Sequence, residues 1–390
     1  SSAASDVYKR QVLTHKNLVC NAYDIIEASE LTEKDSYISW KPITHDFGMI
    51  AFHLVPVIAG ITQYRMTTKH FIWKATDWFS IVNKHRITVL GTTNFGIQHF
   101  MNRMDTQRAE KENWDLSCIR IIYNAAEMIN PKLCSNFIQR MGQYGLSENV
   151  FKPGYGLAEN TLVVSVCRAS QSMNSITINR DYLGIGDKAN VLDKGDENGI
   201  EYAICGPTCS HSQVKILDNN GEVLEDGYVG HIYVKGDCVT QGYYRNEEAT
   251  REIIKKDHWL NTQDVGFVYQ NQVVIIGREK ELIIIGGVNY YPRDIEDVIL
   301  QVLGLNKLNQ FIACGIPNRE TGTDDLDIFV YYKGLPEGFE EIQAKVKQIV
   351  RKKMGIEVSE VIPIRYVPKT TSGKVQRFKI CLLYTSDAAD

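Results

Sequence analysis

Paired cysteines are missing from this 390-residue chain. Its nine cysteines are scattered singly. The closest two are Cys205 and Cys209, and no second pair stands at zinc-site spacing. The reading left is reduced thiols packed as small hydrophobes. Long apolar runs are missing too. The best stretch, Phe47 to Ile61, is interrupted by His53 and Pro56 and falls short of the roughly 18–20 residues a spanning helix needs. No transmembrane segment is expected, and without a leader pattern the cytoplasm is the expected location. Positive charge is not in excess. A net charge of −4 argues against a nucleic-acid binder held by phosphate electrostatics, but not against a small anionic ligand. Internal repeats and low-complexity segments are also lacking.

What remains is an ordinary globular composition and a length that suits two or three domains. Thr14 can cap a helix over 13–29, with Leu18, Ala22, Ile25 and Ile26 on its apolar face. Residues 36–60 read as a short strand, a polar turn and a buried helix. "HRITVLGTT" (85–93) and "CIRIIYNAAE" (118–127) each place a β-rich apolar run before small residues, with helical stretches such as 131–142 around them. That alternation implies βα units around a mainly parallel sheet, where ligands sit at the carboxyl ends of the strands. After about Ala203 the texture changes. Residues 212–237 alternate apolar and polar around Asn219, Asn220 and Gly221, as an antiparallel hairpin does. Further on come two strands about a charged link, a helix from Pro292, an amphipathic helix over 336–354 bearing Ile342, Val346, Ile349 and Val350, and a strand over 360–369. The expected fold is α/β: a large domain with a parallel sheet and a barrel-like antiparallel part, then a small α+β domain. The boundary falls at the charged link Arg278–Lys280, giving domains 12–279 and 280–380. Residues 1–11 and 382–390 share a small-polar composition without periodicity. They read as foreign linker and tail, which would leave the natural chain truncated at both ends.

Five stretches carry candidate chemistry. In "FKPGYGLAENT" (151–161), Gly154 and Gly156 allow close backbone approach, Tyr155 offers a flat face and Glu159 a carboxylate. A nucleotide site could use the ring for stacking and the carboxylate for Mg²⁺; a tight turn with a core tyrosine is the other reading. His45 and Asp46 could be a base, a ligand or a gate, or a satisfied structural pair. Asp264 in "NTQDVGF" could hold ribose hydroxyls or simply sit in a turn. Arg278 and Lys280 could be a solvated hairpin. Near the end, "PKTTSGKVQRF" (368–378) places Lys374 in a Ser-Gly turn before a basic strand or tail. It is not the usual phosphate loop. Pro368 stands where the first Gly belongs, and Val375 where a Mg²⁺-binding hydroxyl belongs.

Taken in order, "LTHKNL", "WKPITHDFG", "GYGLAENT", "GYYRNEEAT", "WLNTQDVGF", "GREKELIIIGG" and "PKTTSGKVQR" resemble the adenylate-forming superfamily of acyl-CoA synthetases, peptide-synthetase adenylation domains and luciferases. The resemblance spans roughly residues 12–380. "SWKPITHDFGMI", "EYAICGP" and "ELIIIGGVNYYPRDIE" are most similar to the fatty-acyl-AMP ligases, and His45 with Asp46 replaces the Phe-Asp pair usual in amino-acid-activating domains. The resemblance implies activation of a fatty acid by Mg·ATP to an acyl-adenylate with release of pyrophosphate. The acyl group then passes to the phosphopantetheine thiol of an acyl carrier protein. CoA is the alternative acceptor, and a peptide-synthetase adenylation domain the alternative subfamily. Tyr155 is expected to stack on adenine, with Gly156, Ala126 and Glu127 lining the base. Glu159 is expected to bind Mg²⁺, Asp264 and Arg278 to serve the ribose, and Lys280 to mark the interdomain hinge. His45 is expected near the acyl carboxylate or gating its tunnel, and Lys374 to stabilise charge building in the transition state. A non-catalytic relic would have no need of Glu159, Asp264, Arg278 and Lys374 together.

The sequence departs from the pattern in places. The family's Ser/Thr/Gly-rich phosphate loop would precede "LTHKNL", where 1–11 stand, so this chain is expected to be impaired as an enzyme. Gln263 occupies a position that is usually Gly, and the turn there is expected to differ. Gly286 and Val288 replace basic residues common in the fatty-acyl-AMP ligases.

Overall fold

The computed structural model describes residues 10–286, 288–305, 310–318, 321, 323–369 and 375–384. The chain divides into two compact units between Ile276 and Gly277.

Six short strands form the first sheet: β1 (Ser36–Ser39), β2 (Thr62–Arg65), β3 (Val89–Thr92), β4 (Ile121–Asn124), β5 (Phe151–Gly156) and β6 (Val163–Val166), in the order β2-β1-β3-β4-β5-β6. β1 to β5 run parallel, and β6 returns antiparallel along β5. Val89, Leu90, Ile121 and Ile122 are fully buried, as strands covered on both faces must be. The helices between strands start where the sequence offers caps. Thr93 accepts from the Gly96 amide to open Asn94–Arg103, and Asn130 from the Leu133 amide to open Pro131–Met141. Trp78, Phe79, Phe100 and Phe137 pack beneath them, with Phe79 and Phe100 rings 4.5 Å apart. Strand β3 is shorter than the 85–93 run, because the preceding helix continues to His85 and Arg86 ends it in a left-handed conformation.

The first helix, His15–Ala28, carries the expected Thr14 cap as a capping box with Asn17. It also buries a polar stripe that its pattern did not announce. Asn17 Nδ2 donates to the Asp237 and Val239 carbonyls, Asn21 bonds both backbone groups of Val163 on β6, and Asp24 accepts from the amide and ring of His211. Residues 36–60 form β1, a turn, and a helix whose first part, Phe47–Leu54, is π-helical. Arg10 and Gln11 pair with Tyr244 and Tyr243.

The second sheet holds β7 (Ser175–Asn179), β8 (Val191–Leu192), β9 (Gly199–Pro207), β10 (Ser212–Leu217), β11 (Gly230–Gly236), β12 (Leu260–Tyr269) and β13 (Gln272–Arg278), in the order β10-β11-β12-β13-β9-β7-β8. β10 and β11 form the expected antiparallel pair. The Asn-Asn-Gly turn closes a smaller loop inside it, where Gly221 (φ +85°) lets the Asp218 amide donate to the Glu222 carbonyl.

The second unit begins with the antiparallel pair β14 (Ile283–Ile285) and β15 (Val288–Tyr290). Helix Pro292–Val302 follows, then β16 (Phe311–Asn318), β17 (Thr323–Tyr331), helix Phe339–Met354 and β18 (Glu360–Ile364). β17 pairs antiparallel with β16 and parallel with β18. Ile295, Ile299, Ile328, Val346 and Val350 form its core. The segment after Lys374 is not a basic strand or tail but helix Arg377–Tyr384. Its first residue is fixed by a buried ion pair, with Arg377 reaching both carboxylate oxygens of Glu296 at 2.6 and 3.2 Å. Among the described residues no helix is long and apolar enough to cross a membrane.

Candidate active site

The sequence-derived residues of the first unit follow the carboxyl ends of β1, β4 and β5 along one edge of the parallel sheet, and Asp264 of the second sheet meets Tyr155 there. After β4 the chain turns through Ala126 in a left-handed conformation (φ +75°). This places the Glu127 carboxylate on the first turn of helix Asn94–Arg103, where it accepts from the Phe95 amide at 3.2 Å. Asn124, fully buried at the end of β4, donates to Asn94 Oδ1. The backbone expected to line a base is thus braced by the neighbouring βα turn.

On β5, next to β4, Tyr155 is buried and its hydroxyl donates to Asp264 Oδ2 at 2.8 Å. Gly156 follows at a register shift in the β5–β6 pairing. A Cβ there would lie 1.8 Å from the Leu162 carbonyl oxygen, so glycine is required for the two backbones to approach. Lys152, earlier on β5, plays a structural part. Its ammonium is buried against the Ala169 and Gln171 carbonyls, and burial lowers its pKa.

Asp264 does not lie in a turn after a strand; it lies within β12. His231 pairs with Val265 and Tyr233 with Asn261, so Ile232 alone faces Thr262, Gln263 and Asp264. This bulge explains Gln263, whose φ of +60° is the conformation a glycine would take without strain. Thr262 Oγ1 holds the bulge by donating to the Ile232 carbonyl and accepting from the Asp264 amide. The bulge re-aims the Asp264 carboxylate toward Tyr155.

Glu159 sits on a short 3-10 turn, Ala158–Asn160, half-buried. Its Oε1 accepts from the Tyr243 hydroxyl at 2.6 Å, and its carbonyl accepts from the Thr240 amide at 2.8 Å. Tyr243 belongs to "GYYRNEEAT", a stretch of the resemblance that implies no role for it. The sequence contains no signal linking it to a glutamate 84 positions away. Among the described residues no cluster of three His, Cys, Asp or Glu could hold a metal. A Mg²⁺ carried on substrate phosphates needs only one or two carboxylates and keeps several waters, and a half-buried Glu159 fits that demand.

His45 follows β1. Its Nδ1 lies 2.6 Å from Asp46 Oδ1, and Asp46 caps the π-helical segment through the Phe47 amide. The pair is partly exposed, and the histidine is oriented by its neighbour. Arg278 is exposed at the end of β13, and Lys280 lies in the 3-10 turn Glu279–Glu281 just after the division between units. Lys374 lies outside the described residues. Its flanks are joined, with Lys369 bridged to Val375 and the Gln376 amide donating to the Pro368 carbonyl. All nine cysteines are free thiols, and burial pushes Cys205 and Cys238 up to about 12, which makes them inert.

Comparison with known proteins now bears on this arrangement. The model of the AMP-binding enzyme family matches residues 9–244, more than half of the chain. The chain belongs to the AMP-binding enzyme family. A 4-hydroxyphenylalkanoate adenylyltransferase from Mycobacterium tuberculosis is 28% identical over 94% of this AMP-binding chain and 61% of its own length. A medium-chain-fatty-acid–[acyl-carrier-protein] ligase, JamA, from Moorena producens is 27% identical over 97% of this chain and 65% of its own. A solved structure from work on fatty acyl-adenylate ligases of E. coli and L. pneumophila superposes with a TM-score of 0.86 at 26% identity, covering 97% of this chain and 67% of that one. The AMP-binding chain thus spans less than two thirds of the length of these two curated relatives.

Proposed function

We propose that this protein activates a fatty acid with ATP, forming an acyl-adenylate and pyrophosphate, and passes the acyl group to the phosphopantetheine thiol of a carrier protein. The observation that carries the reading is the Tyr155–Asp264 pair at the carboxyl edge of the parallel sheet, an aromatic face and a buried carboxylate joined across two sheets. Family membership supports the nucleotide, and the relatives named for fatty acyl-adenylate and acyl-carrier-protein chemistry support the acid and the acceptor.

In this reading Tyr155 stacks on the adenine, Gly156 and the backbone at Ala126 and Glu127 line it, and Asp264 accepts from the ribose hydroxyls with help from Arg278. Glu159 holds Mg²⁺ on the phosphates. His45, oriented by Asp46, faces the acyl carboxylate. Lys374 stabilises the charge that develops as the carboxylate attacks the α-phosphorus, and Lys280 is the hinge.

The test uses the full-length gene product with ATP, Mg²⁺, fatty acids of graded length and free CoA, read by mass spectrometry. Acyl-AMP accumulating without acyl-CoA, then consumed on adding a phosphopantetheinylated carrier protein, is the expected result. Prompt acyl-CoA would overturn the acceptor, and absence of any acyl-AMP would overturn the reading.

A further inference from the structure

We propose that Tyr243 is a positioning residue for Glu159: its phenol sets the carboxylate so that Oε2 is the oxygen a metal ion meets. The inference rests on the reading above that Glu159 carries Mg²⁺.

Three observations converge on it. First, Tyr243 is buried, and its hydroxyl donates to Glu159 Oε1 at 2.6 Å, a short bond to an ionisable acceptor. Second, Glu159 is gripped at its backbone as well, because the Thr240 amide donates to its carbonyl. One short segment, 240–243, therefore fixes both ends of the glutamate. That segment is itself pinned, since the Tyr243 amide donates to Thr250 Oγ1 and Thr240 Oγ1 bonds the Val12 and Gly242 carbonyls.

Third, the backbone two residues after Glu159 is strained. Thr161 has φ +65° and ψ −62°, and the Leu162 amide donates across it to the Asn160 carbonyl at 2.7 Å. This is a γ-turn of the rare hand, a strained conformation for a β-branched residue. The buried Thr161 hydroxyl, donating to the Cys238 carbonyl at 2.7 Å, helps hold it there. Strain retained beside a carboxylate and anchored at Cys238, just before the segment that carries Tyr243, means the position of Glu159 is over-determined. A surface glutamate with no work to do has no need of that.

A cation that keeps most of its water tolerates little misplacement of its one carboxylate. Residues that orient a metal ligand typically change metal affinity about 10–100-fold when removed. The test measures ATP binding by calorimetry at graded Mg²⁺, and AMP binding without Mg²⁺, for the full-length protein, Tyr243→Phe, Glu159→Gln and the double variant. The expected result is that Tyr243→Phe raises the Mg²⁺ concentration at half-saturation about tenfold while Mg²⁺-free AMP affinity stays unchanged. In the Glu159→Gln background the same change should add nothing. Tyr243→His, which keeps a ring N–H donor, is the second variant should Tyr243→Phe prove unstable, and it is expected to restore part of the Mg²⁺ dependence. If Glu159→Gln shifts the Mg²⁺ dependence but Tyr243→Phe does not, Tyr243 is merely packed there and the inference fails. If Glu159→Gln shifts nothing, the metal reading of Glu159 fails first and takes the inference with it.

Discussion

The Tyr155 hydroxyl donates to Asp264 Oδ2 across 2.8 Å and so ties strand β5 of the parallel sheet to strand β12 of the antiparallel one. Tyr155→Phe keeps the ring and removes the bond, leaving a buried acceptor short of one partner at a cost of about 1–3 kcal/mol. The melting temperature should fall, and AMP affinity should drop about tenfold if Asp264 needs the phenol to aim it. Calorimetry with AMP decides. A lower melting temperature with unchanged affinity would show that the bond only joins the sheets.

Gly156→Ala should damage the same region more severely. The added methyl would lie 1.8 Å from the Leu162 carbonyl oxygen and 2.9 Å from Val163 Cα, so the β5–β6 pair must separate. A loss of ~3 kcal/mol in a denaturant titration is expected, with weaker AMP binding. Wild-type stability would mean that the hairpin yields easily.

Asp327, on β17 in the second unit, has its carboxyl pushed up to about 6, first by burial; the Glu360 amide, donating at 3.1 Å, opposes the shift. Between pH 3.8, the ordinary value, and about 6, the folded unit keeps a proton that the unfolded chain has lost. Stability therefore falls as pH rises through that window and stays lower above it, by ~3 kcal/mol at most. Asp327→Asn keeps an acceptor for the amide and removes the titration. The opening free energy that hydrogen exchange reports for the β16–β18 amides should rise at pH 7–8 and lose its slope between pH 4 and 6. An unchanged slope would assign the titration to another group.

Lys374→Ala is expected to reduce adenylation nearly to background while leaving AMP binding intact, because an ammonium that meets charge only in the transition state adds little to ground-state binding. Pyrophosphate release at the wild-type rate would remove Lys374 from the chemistry.

Much of the architecture was legible because it is local. The Thr14 cap acts within three residues, and the Val89–Leu90 and Ile121–Ile122 runs announce buried strands. Two expectations failed for the opposite reason. Asp264 reads as a turn residue because it follows the Trp259–Leu260 pair of a strand, yet the partner strand β11 turns that stretch into a bulge. The residues after Lys374 looked like a strand or tail because they are basic, yet Arg377 is drawn into the second unit by Glu296, 81 positions earlier, and opens a helix.

The sequence by itself determined the order of helices and strands, the change from parallel to antiparallel texture, and the ordered motifs that mark the family, since each depends on neighbours along the chain. Only the tertiary structure decided that Tyr155 meets Asp264, 109 positions away, that Tyr243 meets Glu159, and that Thr161 is held in a strained turn. Those partners are brought together by the packing of whole sheets, and a hydrogen bond between such distant residues has no periodicity through which the sequence could reveal it.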